Sequence, residues 1–65
     1  MKEFYISLVR SLVGYGIKVV APNETAVRLY CQRVLGKMWC SVYTTSQNMT
    51  LIGHTVYVDE KGEDE

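Results

Sequence analysis

Residues 16–45, GIKVVAPNETAVRLYCQRVLGKMWCSVYTT, decide the fold. They read as strand, capped helix and strand, with little sequence spent between them. Ile17-Lys18-Val19-Val20-Ala21 is short and rich in β-branched residues, which fit a pleated, half-buried surface. Pro22-Asn23 breaks the strand, and Asn23 is placed to accept from the N–H groups of a following first turn. Glu24 then opposes the positive end of the helix dipole, and Arg33 and Lys37 stand at the other end, where cations help. The spacing predicts a helix over 24–35 closed by Gly36. On a helical wheel Val27, Tyr30, Cys31 and Val34 form one apolar stripe, flanked by Ala26 and Leu35, while Arg28, Leu29, Gln32 and Arg33 fall outside it. Residues 38–45 resume as strand, with Met38, Cys40 and Val42 directed one way and Trp39, Ser41 and Tyr43 the other.

Outward from this unit the signals are strands. Phe4, Ile6 and Leu8 alternate with Tyr5, Ser7 and Val9, a period-two pattern with one strongly apolar face. Residues 11–16 carry Gly14 and Gly16 and predict a hairpin loop. Register should set the Phe4 face beside the Ile17 face, because a one-residue slip exposes both. Residues 44–48 are polar and loop-like. A fourth strand is predicted over 54–60, with Gly53 as a bend before it. The expected fold class is therefore α+β: a small antiparallel sheet with one helix packed on one face, in the order ββαββ. It forms a single domain over 1–60, followed by a disordered acidic tail over 61–65.

Sixty-five residues make one small domain, which buries only about 60% of its unfolded surface. The apolar share of 48% is that of a globular chain rather than a disordered one. No apolar run approaches the ~20 residues that span a bilayer, so no membrane partner is expected. The start Met1-Lys2-Glu3-Phe4 shows no signal-peptide h-region, and a cytoplasmic location is the expectation. Formal net charge is zero but unevenly spread. Through His54 six basic residues (Lys2, Arg10, Lys18, Arg28, Arg33, Lys37) face two acidic ones (Glu3, Glu24). From Thr55 onward five acidic residues (Asp59, Glu60, Glu63, Asp64, Glu65) face Lys61 alone. The acidic end reads either as a solvated tail or as one that shields the basic body or docks on a basic partner.

No residue cluster in the chain carries a reaction. Cys31 and Cys40 fall at expected core positions, where burial raises a thiol's pKa and blocks access; without a secretion signal they are expected reduced. His54, the one histidine, adds only a third ligand to them, and no spacing resembles a zinc finger. The carboxylates gather in the tail, where nothing holds a general acid and base in geometry. Gly14-Tyr15-Gly16 precedes a strand rather than a helix, so it is no phosphate cradle. The expectation is a protein that is not an enzyme and takes no cofactor or metal.

Two surfaces are candidates instead. If Phe4, Ile17 and Cys40 face the helix, then Tyr5, Val9, Val20, Trp39 and Tyr43 face away, with Tyr57 a further member. Such a face has three explanations: a homodimer or partner interface, since Tyr and Trp are favoured anchors; a lid formed by residues 44–53 through Met49, Leu51 and Ile52; or a platform that stacks nucleic-acid bases. Against the last, Lys18 is the only cation placed among these aromatics. The outer helix face, Arg28, Leu29, Gln32 and Arg33, is either an ordinary solvated surface or a site for an acidic protein groove or phosphates.

The residues Lys2-Glu3-Phe4-Tyr5, Val19-Val20-Ala21-Pro22-Asn23-Glu24 and Ala26, in this strand–strand–helix–strand setting, resemble the RNA polymerase inhibitors of lytic coliphages. Some small anti-CRISPR proteins look similar over the same region, roughly residues 2–45. The resemblance implies a phage-encoded, stoichiometric inhibitor used in host takeover or anti-defence. It also implies a similar scaffold but not the same target, because the inhibitors carry arginines on the third strand where this chain has Trp39, Ser41 and Tyr43. The expected function is inhibition or redirection of a host protein complex by direct contact through Tyr5, Arg28, Leu29, Arg33, Trp39 and Tyr43. The alternative is a small nucleic-acid-binding accessory protein.

Overall fold

The computed structural model describes residues 1–9, 13–46 and 48–64, and the backbone alone of Cys40. Its elements are β1 (Lys2–Leu8), β2 (Tyr15–Ala21), α1 (Glu24–Tyr30), a π-helical turn over Cys31–Leu35, β3 (Trp39–Tyr43), β4 (Thr50–Leu51) and β5 (Val56–Tyr57). They form an α+β unit with one helix and an open, mixed sheet of five strands in the order β3-β1-β2-β4, with β5 also on β2.

The first hairpin follows the register that burial demands. Phe4 lies opposite Val19 and Ile6 opposite Ile17, which puts both apolar faces on the same side. The part of the expected hairpin loop over 11–12, with the Arg10 end of the expected first strand, lies outside the described residues. Because β1 is antiparallel to both β2 and β3, those two strands run the same way with β1 between them. The helix is the connection that carries the chain from one to the other.

Asn23 caps that helix as its side chain suggests, its Oδ1 accepting from Ala26 N at 2.9 Å. Arg28 Nε reaches Glu24 Oε2 at 2.8 Å one turn away, and Gly36 ends the helix by donating to Cys31 O. The last turn differs from expectation. A π turn holds more than four residues, so the apolar face advances late. Leu35 therefore packs against the core, whereas Val34, expected on the buried stripe, is 48% exposed.

The core lies between helix and sheet: Phe4, Ile6, Val19 and Ala21 from the strands meet Ala26, Val27, Tyr30 and Cys31 from the helix, and Val58 closes one end. Ile6, Val19, Val27 and Val58 are fully buried, each worth roughly 1.5–3 kcal/mol of transfer free energy.

Beyond β3 the expected antiparallel plan gives way. The chain crosses back to the far edge of β2, where β4 pairs in parallel with Tyr15–Gly16 and β5 with Val19–Val20. Within the strand expected over 54–60 the chain pairs at Val56–Tyr57, and Thr50–Leu51 adds a segment before it on the same edge, the bend between them passing through Gly53 at φ 73. The order is ββα followed by three strand segments rather than two. Parallel pairing follows from the return path: β3 already flanks β1, so the free edge is that of β2, and the chain reaches it at the end where β2 begins.

Candidate interaction surfaces

The sheet face turned away from the helix is built by alternation. Across it the register sets Tyr43, Tyr5 and Lys18 in one row. Glu3, Val20 and Tyr57 make a second row. Lys18 Nζ joins the rows through Glu3 Oε2 at 3.3 Å. Tyr57 is 53% exposed, and Tyr5, Val20 and Tyr43 are half-buried. At the other end of the face Met49 sits so close over Gly16 that a Cβ there would meet its sulfur. Of the lid expected from Met49, Leu51 and Ile52, Met49 therefore covers the Gly16 end, while Leu51 stays exposed.

Trp39 is not on this face. From Ile6–Val42 to Leu8–Trp39, β1 advances two residues and β3 three, so β3 carries a bulge. One extra residue reverses the alternation beyond it. Tyr43 keeps the expected side and Trp39 changes to the helix side, half-buried against the core. Ser7 Oγ accepts from Ser41 N at 3.2 Å within the bulge. The guanidinium of Arg28 stands 5.9 Å from the Trp39 ring centroid, a cation–π arrangement that joins helix to strand. The expected meeting of Cys31 and Cys40 rests on the Cys40 side chain, outside the described residues.

The outer helix face is likewise divided. Arg28 turns to Glu24 and Trp39. Arg33 turns to the other flank, where its Nη2 donates to Gly62 O at 2.6 Å and lies 4.0 Å from Asp64 Oδ1. Residues 59–64, expected within or beside a disordered tail, fold as a turn against the helix. Asp59 N donates to Glu63 O and Gly62 N to Asp59 O, while Asp59 Oδ1 accepts from Lys61 N and Glu63 N. The Glu63 bond first, with that to Lys61, holds the Asp59 carboxyl below the usual carboxylate range. Val58 bridges to Asp64. Gly62, at φ 77, lies directly on the helix: a Cβ there would be 2.7 Å from Leu29 Cβ, 2.8 Å from Tyr30 N and 2.9 Å from Ala26 O. Beneath it burial, then Asp64 and Cys31, push the Tyr30 phenol up, with Arg33 opposing.

Sequence reasoning thus named Tyr5, Tyr43, Arg28, Leu29 and Arg33 as surface residues, and the structure spreads them over two sides of the sheet. It missed Gly62 and Asp64, for which the one signal was a glycine set within an acidic run.

Reactive chemistry finds no geometry among the described residues. They form no pocket, and no three His, Cys, Asp or Glu side chains gather to hold a metal ion. Cys31 is fully buried, and burial pushes its thiol up to about 11 against the opposing charge of Arg28, which leaves it protonated and inert at neutral pH. His54 is exposed, between β4 and β5. No described helix is long and apolar enough to cross a membrane. Compared with known proteins, the chain matches no family model, no curated protein and no solved structure.

Proposed function

We propose that this chain is a non-enzymatic binding protein that acts on a protein partner by direct contact, and that the open sheet face is its contact surface. The observation that carries this reading is the two-row patch of Tyr43, Tyr5, Val20 and Tyr57, of which Tyr57 is 53% exposed and the others half-buried. Tyrosine supplies large, stiff contact area with a polar tip, which suits a surface that must be wet when free and dry when bound. A stoichiometric inhibitor of a host protein complex, as the resemblance to phage inhibitors implies, needs nothing more than such a patch.

Two further observations refine the reading. The accessible surface is 4198 Å², close to the ~4,200 Å² that the size scaling gives a folded monomer of this mass. The chain thus exposes as much surface as a monomer of its mass, and we take a separate partner as the reading to test first, with a second copy as the alternative. On the face itself Lys18 is engaged by Glu3, so it offers a phosphate little free charge, and base stacking is the weaker fit.

The test is capture of partner by the tagged full chain from a cell lysate, with Tyr57→Ala and Tyr43→Ala beside the parent. Truncating an aromatic anchor costs about 2 kcal/mol or more, so each variant should lose roughly 30-fold in affinity while keeping its thermal transition. Equal retention by both variants refutes the surface. Retention that collapses with added salt and needs nucleic acid refutes the protein-contact reading.

A further inference from the structure

The contact between the C-terminal turn and the helix is of a different kind from the tyrosine patch, and it lies on the other side of the sheet. Most of what holds it is polar and superficial: Arg33 Nη2 on Gly62 O, the longer Arg33–Asp64 pair, and the two Asp59 Oδ1 bonds internal to the turn. The deep anchor is Val58, fully buried and donating from its N–H to Val20 O. The segment after Val58 can leave the helix while Val58 itself stays in the core, at the cost of the Val58–Asp64 bridge and of exposing the edge of Tyr30. When it leaves it uncovers Leu29 beside Arg33, with Tyr30 and the Ala26 carbonyl at the floor where Gly62 had lain. Leu29 is already 43% exposed with the turn in place. An arginine beside a leucine, over a floor that only a glycine backbone can approach, is what the turn itself recognises: an acidic, glycine-containing segment presenting a carbonyl and a carboxylate.

We propose that this helix face is a docking site for an acidic, glycine-containing protein segment, and that residues 59–64 of the chain occupy it at rest as a built-in competitor. The charge distribution fits the idea. The body has a basic surplus, and the segment folded onto it carries Asp59, Glu60, Glu63 and Asp64 against Lys61. An isolated acidic stretch would be solvated rather than seated; here it is seated, and its fit rests on a glycine that no other residue replaces. The site stands independently of the tyrosine patch.

The experiment uses full-length protein and a labelled peptide with the sequence of residues 58–65, followed through the Leu29, Tyr30 and Arg33 NMR signals. Gly62→Val cannot sit on the helix and should free the face; it is expected to bind the peptide at least ten-fold more tightly than the parent. Adding Arg33→Gln to Gly62→Val should cancel that gain. Should Gly62→Val fold poorly, Asp59→Ala unties the turn without placing anything against the helix, and the same gain is expected. Tyr57→Ala serves as the control for the other surface and should leave peptide binding unchanged. Equal affinity in the parent and in both opened variants overturns the proposal, as does a gain that survives loss of Arg33. An opened face that takes a single-stranded oligonucleotide in preference to the peptide also overturns it.

Discussion

Gly62 offers the most discriminating perturbation, because the structure sets both a cost and a ceiling for it. In Gly62→Ala the new Cβ falls 2.8 Å from Tyr30 N and 2.9 Å from Ala26 O. Both are helix backbone, so no rotamer change relieves the overlap. The left-handed φ of 77 adds about 1–2 kcal/mol for any residue with a Cβ. The turn has an exit, however: it can let go of the helix. Letting go forfeits the Arg33 bond to Gly62 O, about 1 kcal/mol once its exposure is allowed for, and an Arg33–Asp64 pair worth at most ~1 kcal/mol. The loss should therefore saturate near 1–2 kcal/mol, and Gly62→Val should cost about the same as Gly62→Ala. In a domain of this size that is a fall in Tm of about 5–15 °C. The assay is denaturant unfolding followed by Trp39 fluorescence, with hydrogen exchange at the Lys61 and Glu63 amides to register release. Gly14→Ala is the control, since Gly14 has φ 92 with nothing within 4 Å of its Cβ position. A valine that costs over about 3 kcal/mol more than alanine would show the strain retained in a docked turn and refute the reasoning. So would a Gly62→Ala that changes neither stability nor exchange.

Three other outcomes are expected. Asn23→Ala should lower stability by about 1 kcal/mol through loss of the helix cap, and Asn23→Asp should restore most of it; equal unfolding midpoints for Asn23→Ala and the parent would count against the cap. The Cys31 thiol, raised to about 11 in the folded chain, favours the protonated native state, so its contribution is complete below the unfolded thiol value of ~8.5 and is lost as pH rises through about 11. Native protein should accordingly resist iodoacetamide at Cys31 at pH 8 and react there only on unfolding; peptide mapping that finds Cys31 alkylated in folded protein would contradict its burial. Asp59 behaves in the opposite sense: its lowered pKa adds stability that is present above the unfolded carboxylate value of ~3.9 and disappears as pH falls through the lower folded value. The Glu63 amide shift should report that titration with a midpoint below an ordinary Asp, and a midpoint at or above it would remove Asp59 from the turn.

What the sequence makes legible here is local. The helix was readable because its cap, its dipole partners and its stop all lie within a few residues of the backbone they serve: Asn23 on Ala26, Glu24 on Arg28, Gly36 on Cys31. The hairpin register was readable because two apolar faces had only one way to coincide. The bulge in β3 was not, since it is stabilised by Ser7, 34 residues away from Ser41, and nothing near Ser41 announces an extra residue. Trp39 was misplaced for that reason alone. Val34 was misplaced because a wheel drawn at 3.6 residues per turn cannot foresee a π turn. The C-terminal segment reads as solvent-loving by composition, yet composition does not register that one small residue among the charges permits backbone-to-backbone approach.

These departures share a consequence for function. A sheet with one helix has one face covered by that helix, and the other must meet water, a loop or a partner. The bulge moves the largest aromatic ring from the open side to the covered side, where it stiffens the helix–β3 junction under Arg28. What remains outside is tyrosine, whose hydroxyl tolerates water, so the part of the open face beyond Met49 can meet solvent. The C-terminal turn does the complementary thing on the helix side, placing acidic groups over the basic flank around Arg33. The chain thus keeps its tyrosine patch and its basic helix flank apart, on opposite sides of one thin sheet. The two areas meet at Val58, which donates to Val20 O on one side and bridges Asp64 on the other, so the additivity of paired substitutions measures how far that residue insulates them.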